Sequence, residues 1–181
     1  DGGEGNNVAI GMSAMMNVNN DNADDNICIG VEAGKGGTGS LRRSIAIGTI
    51  ALDATGSNNV EGAVAIGYGS LGALTSGERN TAVGFESLKS NTIGDKNTAV
   101  GYQALESFNA DTDAHGHNTA VGHNAMQGNA TGTDNTAIGN QSAFSGTNNM
   151  TSGDNNTFIG SQTSPSSATP TNQTVIGKGA T

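Results

Sequence analysis

A five-residue motif, Asn-Thr-Ala-Val/Ile-Gly, recurs along the chain and constrains its fold more than any other feature. It stands unchanged at 80–84, 97–101 and 118–122, and with Ile for Val at 135–139. Looser copies extend from end to end, and each is marked by its closing glycine. The closing glycines are Gly11, Gly30, Gly48, Gly67, Gly84, Gly101, Gly122, Gly139, Gly160 and Gly177, spaced 17 to 21 residues apart. Self-similarity at a nearly fixed short period is typical of a solenoid or fibre, in which each repeat mainly contacts its neighbours.

The composition excludes an ordinary globular core. Only 33% of the 181 residues are hydrophobic, 3% are aromatic and none is Trp, so large side chains for a core are scarce. Low hydrophobicity and a net charge of −9 would also fit disorder. The apolar residues are strictly phased, however, and a stack of repeats can close a thin core of Val, Ile, Ala and Leu. We therefore predict an all-β repeat solenoid, a parallel β-roll of about ten short rungs, as a single domain over 1–181.

The charge balance limits the partners of the chain. Sixteen acidic residues against seven basic ones argue against nucleic acid and anionic membranes. No apolar run reaches transmembrane length, so we expect no direct membrane insertion. No signal peptide is visible, and the chain begins and ends within the repeat pattern, as expected for a segment of a longer fibre protein. Cys28 takes the place of Ala in its motif copy and is predicted to be a small buried hydrophobic residue.

The alternation of a β-strand assigns the motif residues to two faces. Thr81 and Val83 share one face and Ala82 points to the other. Every copy has Val or Ile before the glycine, as expected of a buried β position. The small residue before it indicates a surface where two backbones or two subunits approach closely. This column reads Ala9, Cys28, Ala46, Ala65, Ala82, Ala99, Ala120, Ala137, Phe158 and Val175. The residues predicted to define the structural repeat are Ala82, Val83, Gly84, Ala99, Val100, Gly101, Ala120, Val121, Gly122, Ala137, Ile138 and Gly139.

The segment that follows each closing glycine completes the predicted rung. It places Leu or Met four residues after the glycine in the best copies, and polar turn-forming residues follow. Each rung is therefore predicted as a strand, a Gly turn, a second strand and a polar return loop. Rungs about 4.8 Å apart give a rod about 45 Å long. Asn begins seven copies and predicts an Asn ladder, and the lack of a helical period predicts little or no helix.

The motif resembles two groups of fibre repeats. The string Val-Ala-Ile-Gly at 8–11 and 64–67 resembles the head repeats of YadA-type trimeric autotransporter adhesins. The version at 97–105 resembles repeats in tail-fibre-like proteins of phages and large viruses and in bacterial surface fibres. In the adhesin heads three chains form left-handed parallel β-rolls around a threefold axis, and the resemblance implies the same architecture here. The period of the adhesin heads is shorter and no stalk, anchor or chaperone domain is visible, so adhesin and phage fibre stay open alternatives.

A homotrimer is also expected on physical grounds. A single roll lined by Ala and Val buries too little surface to offset the conformational entropy of the chain comfortably. Three rolls that associate through flat faces of small residues would bury more.

Four rings are the candidate ligand-binding residues. Tyr68, Phe85, Tyr102 and His123 each follow a motif glycine, in four consecutive rungs. In-register stacking would join them in one ladder, and aromatic faces can hold a sugar. The alternative is that the rings shield the turn and pack only on each other.

One metal site is also predicted. His115-Gly116-His117 resembles the G-x-H-x-H sites of phage tail-fibre needles, in which three chains supply six imidazoles to one metal on the axis. Octahedral imidazole ligation suits iron or nickel. The alternative is a polar loop away from the axis, and no other cofactor is predicted.

The predicted function is structural and adhesive rather than enzymatic, because no spacing of nucleophile, base or carboxylate pair stands out. The chain is interpreted as a segment of a trimeric extracellular fibre, in a phage or viral tail fibre or a bacterial surface adhesin. It would act as a spacer and present a surface to a cell-surface glycan or protein receptor. The alternative is a monomeric β-solenoid binding module, such as an ice-binding protein, for which Thr81, Thr98, Thr119, Thr136 and Thr157 line up. Oligomeric state separates the two hypotheses.

Overall fold

The computed structural model describes residues 5–18, 23–110, 116–144 and 149–181, and within them the chain is all β, without helix. The strands are short, mostly three residues long. They are β1 Val8–Ile10, β2 Ile27–Ile29, β3 Leu41–Arg42, β4 Ile45–Ile47, β5 Val60–Glu61, β6 Val64–Ile66, β7 Thr81–Val83, β8 Thr98–Val100, β9 Thr119–Val121, β10 Thr136–Ile138, β11 Thr157–Ile159 and β12 Thr174–Ile176. The prediction of an all-β chain is confirmed for the described residues.

Each motif copy contributes one strand to a single parallel sheet. Ten strands of the described chain pair in the order β1-β2-β4-β6-β7-β8-β9-β10-β11-β12, so each inner strand pairs with those of the preceding and following copies, and β1 and β12 form the two edges. The register is one motif to one motif, as in Ala82 opposite Ala99 and Val83 opposite Val100. β3 and β5 form a separate two-stranded parallel pair. A parallel β-solenoid, in which each turn adds one strand, is therefore confirmed.

The inner face of the sheet carries the small residues of the motif. The middle residues of β2, β4 and β6 to β11 are fully buried, and Val175 in β12 is 4% exposed. They pack inside a single chain against residues such as Leu88 and Leu105. The interpretation of the Ala column as a surface of contact between subunits is therefore wrong. The residue is small because the roll is thin, and the opposite wall of the same chain lies close behind it.

The outer face of the sheet carries Val and Ile before the closing glycine and Thr, Val or Ile two residues earlier. These side chains are half-buried or exposed, with Val100 at 36% and Ile10 at 58%. The prediction that the Val/Ile column is buried is wrong for this single chain. The prediction that Thr and Val share a face, opposite Ala, is confirmed.

The segment after the closing glycine forms a turn rather than the predicted second strand. The backbone is left-handed two and four residues after the glycine, as at Glu86 (φ 52°) and Leu88 (φ 49°). These turns still bring Leu52, Leu71, Leu88, Leu105 and Met126 into the core, where all five are fully buried. These Leu and Met positions were therefore predicted at the right places. The segment bends instead of extending as a strand, because every second residue in it has a left-handed backbone.

The closing glycine is required by its neighbours along the solenoid. Its φ lies between 123° and 138° in every copy, a region that L residues rarely adopt. At Gly48 an added Cβ would lie 2.7 Å from the carbonyl oxygen of Gly67 in the next rung. The column is restricted to Gly because each glycine packs backbone to backbone on the next.

Buried asparagines form the predicted ladder. The Oδ1 of Asn80 accepts hydrogen bonds from the backbone N–H and the Nδ2 of Asn97, at 2.9 and 3.0 Å. The same pair of bonds joins Asn97 to Asn118, Asn118 to Asn135 and Asn135 to Asn156. Each amide is thereby satisfied inside the roll, where an unpaired one would be costly.

Candidate ligand-binding site

The four predicted rings form one continuous stack. Tyr68, Phe85, Tyr102 and His123 occupy the same position of consecutive rungs, so the register of the sheet places them above one another. Ring centroids lie 5.2, 5.3 and 5.1 Å apart, and the planes are within 9° to 13° of parallel. The three carbocyclic rings remain 41% to 46% exposed. The prediction of an in-register ring ladder is confirmed, whereas its role in binding stays a prediction.

The ends of the ladder differ from its middle. Phe85 and Tyr102 have a ring on each side, so their faces are occupied and mainly their edges meet solvent. Tyr68 begins the stack, because Thr49 takes the equivalent position in the preceding rung. One face of Tyr68 stacks on Phe85, and the other has no ring partner. Tyr68 is 46% exposed, so a ligand can contact its ring without separating the ladder.

A cavity of about 370 Å³ opens beside Tyr68. It is lined by Ile50, Asp53, Tyr68, Gly69, Gly72, Ala73, Glu86, Lys89 and Ser90. Gly69 and Gly72 stand two and five residues after the closing glycine Gly67. The preceding rung has Ile50 and Asp53 at these two positions, and the following rung has Glu86 and Lys89. The cavity exists because one rung lacks the two side chains that its neighbours carry, and we call it the glycine notch.

The wall on the Glu86 side is an ordered polar network. Glu86 accepts hydrogen bonds from Lys89 at 2.7 Å and from Gln103 at 2.9 Å. Gln127 then bridges Gln103 and Glu106, at 3.0 and 2.7 Å. The hydrogen bond from Lys89 is the main reason that the pKa of the Glu86 carboxyl lies below its usual range, and the same bond raises the pKa of Lys89. Glu86 therefore faces the notch as a fixed carboxylate.

Asp53 is the carboxylate on the opposite wall. Partial burial raises its pKa above the usual range, and the negative charge of Glu32 adds to the effect. A carboxylate that has lost part of its hydration gains more from a ligand hydroxyl than one that is fully hydrated. The sequence reasoning missed Asp53, Gly69 and Gly72, although the two glycines at positions filled in the adjacent copies were a visible signal.

The predicted metal site falls only partly within the described residues. His115 lies outside them. His117 is exposed, has a left-handed backbone (φ 57°) and places its Nδ1 3.4 Å from Oδ1 of Asp134. Over the ranges that the structure describes, no group of three or more His, Cys, Asp or Glu converges to hold a metal ion. Since the predicted site needs His115 and three chains, it stays a prediction.

Cys28 lies on the inner face of β2, fully buried within the chain. Burial raises the pKa of its thiol from 9.0 to about 11, so it is protonated and unreactive at neutral pH. The prediction that it acts as a small hydrophobic residue is confirmed.

Comparison of the chain with family models, curated proteins and solved structures gave no match. Within the described ranges, no helix has the length and apolar character that crossing a membrane requires.

Proposed function

We propose that the chain is a structural and adhesive segment of a trimeric extracellular fibre, in a phage or viral tail fibre or a bacterial surface adhesin. In this role it spaces and stiffens the fibre and presents a surface to a glycan or protein receptor. The observation that carries the proposal is the outer face of the ten-stranded sheet, which has a continuous column of Val and Ile beside Thr, Val or Ile, no charged residue, and side chains that are half-buried or exposed in a single chain.

The outer face is continuous along the solenoid. Val or Ile stands at its last position in every strand of the sheet, and Thr, Val or Ile two residues earlier. At about 4.8 Å per strand, the strip is about 45 Å long. Monomeric proteins rarely leave contiguous apolar strips of this kind in water, and such strips usually mark contacts between proteins.

A second copy of the same chain is the occupant that fits this strip. Each copy carries a net charge of −9, so two copies repel each other wherever their acidic loops meet. The strip contains no charged residue, and contact through it keeps the acids of both copies in water. Identical strips with one residue pattern per strand also match each other in spacing. Three copies around an axis would enclose three strips in one common core, the closed arrangement that the resemblance to the adhesin heads implies.

Light scattering on the purified chain tests the proposal. The expected mass is about three times 17.9 kDa. Replacing Val100 and Val121 by Lys puts charges into the strip and should reduce the mass to that of one chain, with the β circular dichroism retained. The control replaces Gln141 and Gln162 by Lys, which adds the same charge to the turns and should leave the trimer intact. A wild-type mass of one chain would overturn the trimeric fibre.

An ice-binding module is a second candidate that one observation favours. The Thr column on β7 to β12 lies on the outer face rather than in the core, beside the Val/Ile column. A flat, regular face of this kind is what an ice surface would need, provided that no other chain covers it. This candidate predicts a monomer that inhibits ice recrystallisation, and loss of the inhibition in Thr119→Lys. A trimer without ice activity would exclude it.

A further inference from the structure

We propose that the glycine notch beside Tyr68 is a binding subsite for one neutral hexopyranose ring of a glycan. The inference deepens the proposed function, on which it rests, by assigning the glycan-presenting surface to a defined place. It differs from the prediction of a four-ring site, because Phe85 and Tyr102 have a ring on both faces, and of the two end rings Tyr68 is the one that lines the notch.

The dimensions of the notch fit a single flat ring. Ile50 and Glu86 belong to rungs two steps apart, about 9.6 Å at 4.8 Å per step. A Cβ at Gly69 would lie 3.7 Å from Cγ of Glu86 and 4.0 Å from Cδ1 of Ile50, so the space begins directly between these two side chains. The volume of about 370 Å³ is at the small end of the roughly 300–1,000 Å³ typical of ligand pockets. A slot one rung thick favours one sugar unit.

The apolar groups of the notch are suited to the C–H face of a pyranose. Tyr68 supplies an exposed ring, and Ile50 and Ala73 supply aliphatic surface on the same lining. An aromatic face is electron-rich and attracts the weakly positive C–H groups of a sugar ring. A purely polar cavity would gain nothing from such a face.

The polar groups are suited to sugar hydroxyls. The carboxylates of Asp53 and Glu86 accept hydrogen bonds, and the Lys89 ammonium donates them. The Ser90 hydroxyl can do either. Glu86 is already oriented by Lys89 and Gln103, so its position costs the ligand no further ordering. Hydroxyl groups, which donate and accept, match this mixture better than a group that only donates or only accepts.

The charges of the notch select a neutral sugar over an acidic one. Two carboxylates and one ammonium line the cavity, which leaves a net negative charge. An anionic sugar such as a uronic acid would therefore be repelled. Within the described residues the notch also lacks the three clustered ligands that a metal ion would need.

Saturation-transfer NMR with methyl glycosides tests the subsite on the purified chain. The probes are methyl glucoside, methyl galactoside and methyl N-acetylglucosaminide, with methyl glucuronide as the acidic counterpart. We expect saturation transfer to the ring C–H protons of at least one neutral probe, and at least about tenfold weaker affinity for the glucuronide. No transfer to any neutral probe would overturn the proposal.

Two variants separate the notch from the rest of the ladder. Gly69→Gln fills the notch with a residue that stands at the equivalent left-handed position in the rung of Gln103. Tyr68→Thr removes the ring and copies Thr49 of the preceding rung. Each should weaken binding at least about tenfold, whereas the matched control Tyr102→Thr, which removes a ring outside the notch, should keep it. Undiminished binding in folded Gly69→Gln would overturn the assignment.

The molar mass of the same sample, measured by light scattering, distinguishes a failure of the sugar subsite from a failure of the trimeric fibre. All residues that line the notch come from one chain. A trimer without sugar binding would overturn the subsite and leave the fibre standing. A monomer that binds sugar through the notch would overturn the trimer and leave the subsite standing.

Discussion

The two faces of the ten-stranded sheet show how the same strands serve two different neighbours. The inner face is a column of small residues, Ala in most rungs, and is buried by the same chain from β2 to β12. The outer face has larger residues, Val and Ile, and remains partly in water. The smaller residues are therefore buried and the larger ones partly exposed, the reverse of the usual expectation that the larger apolar residue lies inside. A thin roll limits the volume available on its inner side, whereas nothing within the chain limits it on the outer side.

Two of the three residues other than Ala on the inner face, Phe158 and Cys28, follow the same rule of volume. Phe158 replaces Ala in β11, and its rung has Ser164 where most rungs have Leu or Met. Cys28 replaces Ala in β2, and its rung has Gly34 at that position. In these two rungs a larger residue in the column is matched by a smaller one in the turn, as expected where the inner volume is limited.

The largest expected effect comes from emptying the inner face. Phe158→Ala should lower the free energy of unfolding by about 3–5 kcal/mol, because Phe158 is fully buried and the roll cannot collapse around the cavity. Thermal or urea unfolding, followed by circular dichroism, measures the loss in the background of Val100→Lys and Val121→Lys, in which the protein is expected to be a single chain. The matched variant Ile159→Ala, on the outer face, should cost the fold of one chain less than about 1 kcal/mol. Equal losses would contradict the division into two faces.

Breaking the Asn ladder should have the next largest effect. Asn118→Ala leaves the buried N–H of Asn135 without its acceptor and removes one of two donors to the carbonyl of Gly132, which Asn129 still serves. A buried group left unpaired costs about 1–3 kcal/mol, so we expect a loss of about 2 kcal/mol in the same unfolding measurement. Thr119→Ala, one residue later and on the outer face, is the control, with an expected change below about 0.5 kcal/mol. A tolerated Asn118→Ala would show that the ladder is dispensable.

A larger side chain should destabilise the fold more on the inner face of the sheet than on the outer face. Ala82→Ile should cost about 1–3 kcal/mol, since the added carbons meet a packed wall. Val83→Ile produces the same residue at the adjacent outer position, where β6 already has Ile66, and in the same single-chain background it should change stability by less than about 0.5 kcal/mol. Urea midpoints of the two variants, compared at constant slope, measure the difference. The inner face would not be tightly packed if the midpoints agreed.

The smallest effect is a pH dependence that Cys28 gives to the inner face. Its pKa is raised from 9.0 to about 11 by burial, so stability is complete below pH 9 and is lost as the pH rises toward 11. At pH 10 the loss should be about 1 kcal/mol relative to pH 8. Cys28→Ala restores the commonest residue of the column and should remove this part of the dependence, which urea unfolding at both pH values can measure. An unchanged pH profile in Cys28→Ala would contradict the burial of the thiol.

Several elements were predictable from the residues alone. The spacing of the closing glycines placed all ten strands of the sheet, and the repetition of Asn and of the rings placed two ladders. Each of these rests on register, which a repeat specifies because identical rungs pair most favourably with themselves. The turn after Gly84 was missed, because left-handed residues such as Glu86 and Leu88 are not glycine or asparagine and give no local signal.

The sequence by itself determined the periodicity, the parallel pairing of successive copies and the columns in which residues stack, since these depend only on which residue follows which. The tertiary structure decided which face of the sheet is inside. The alternation of side chains along a strand places the Ala column and the Val/Ile column on opposite faces of the sheet. It does not determine which of the two faces meets the opposite wall of the roll. That depends on the direction in which the turns bend the chain, and left-handed residues such as Leu88 and Leu105 bend it toward Ala. The glycine notch arises in the same way, because a missing side chain becomes a cavity only when the neighbouring rungs are stacked on either side of it.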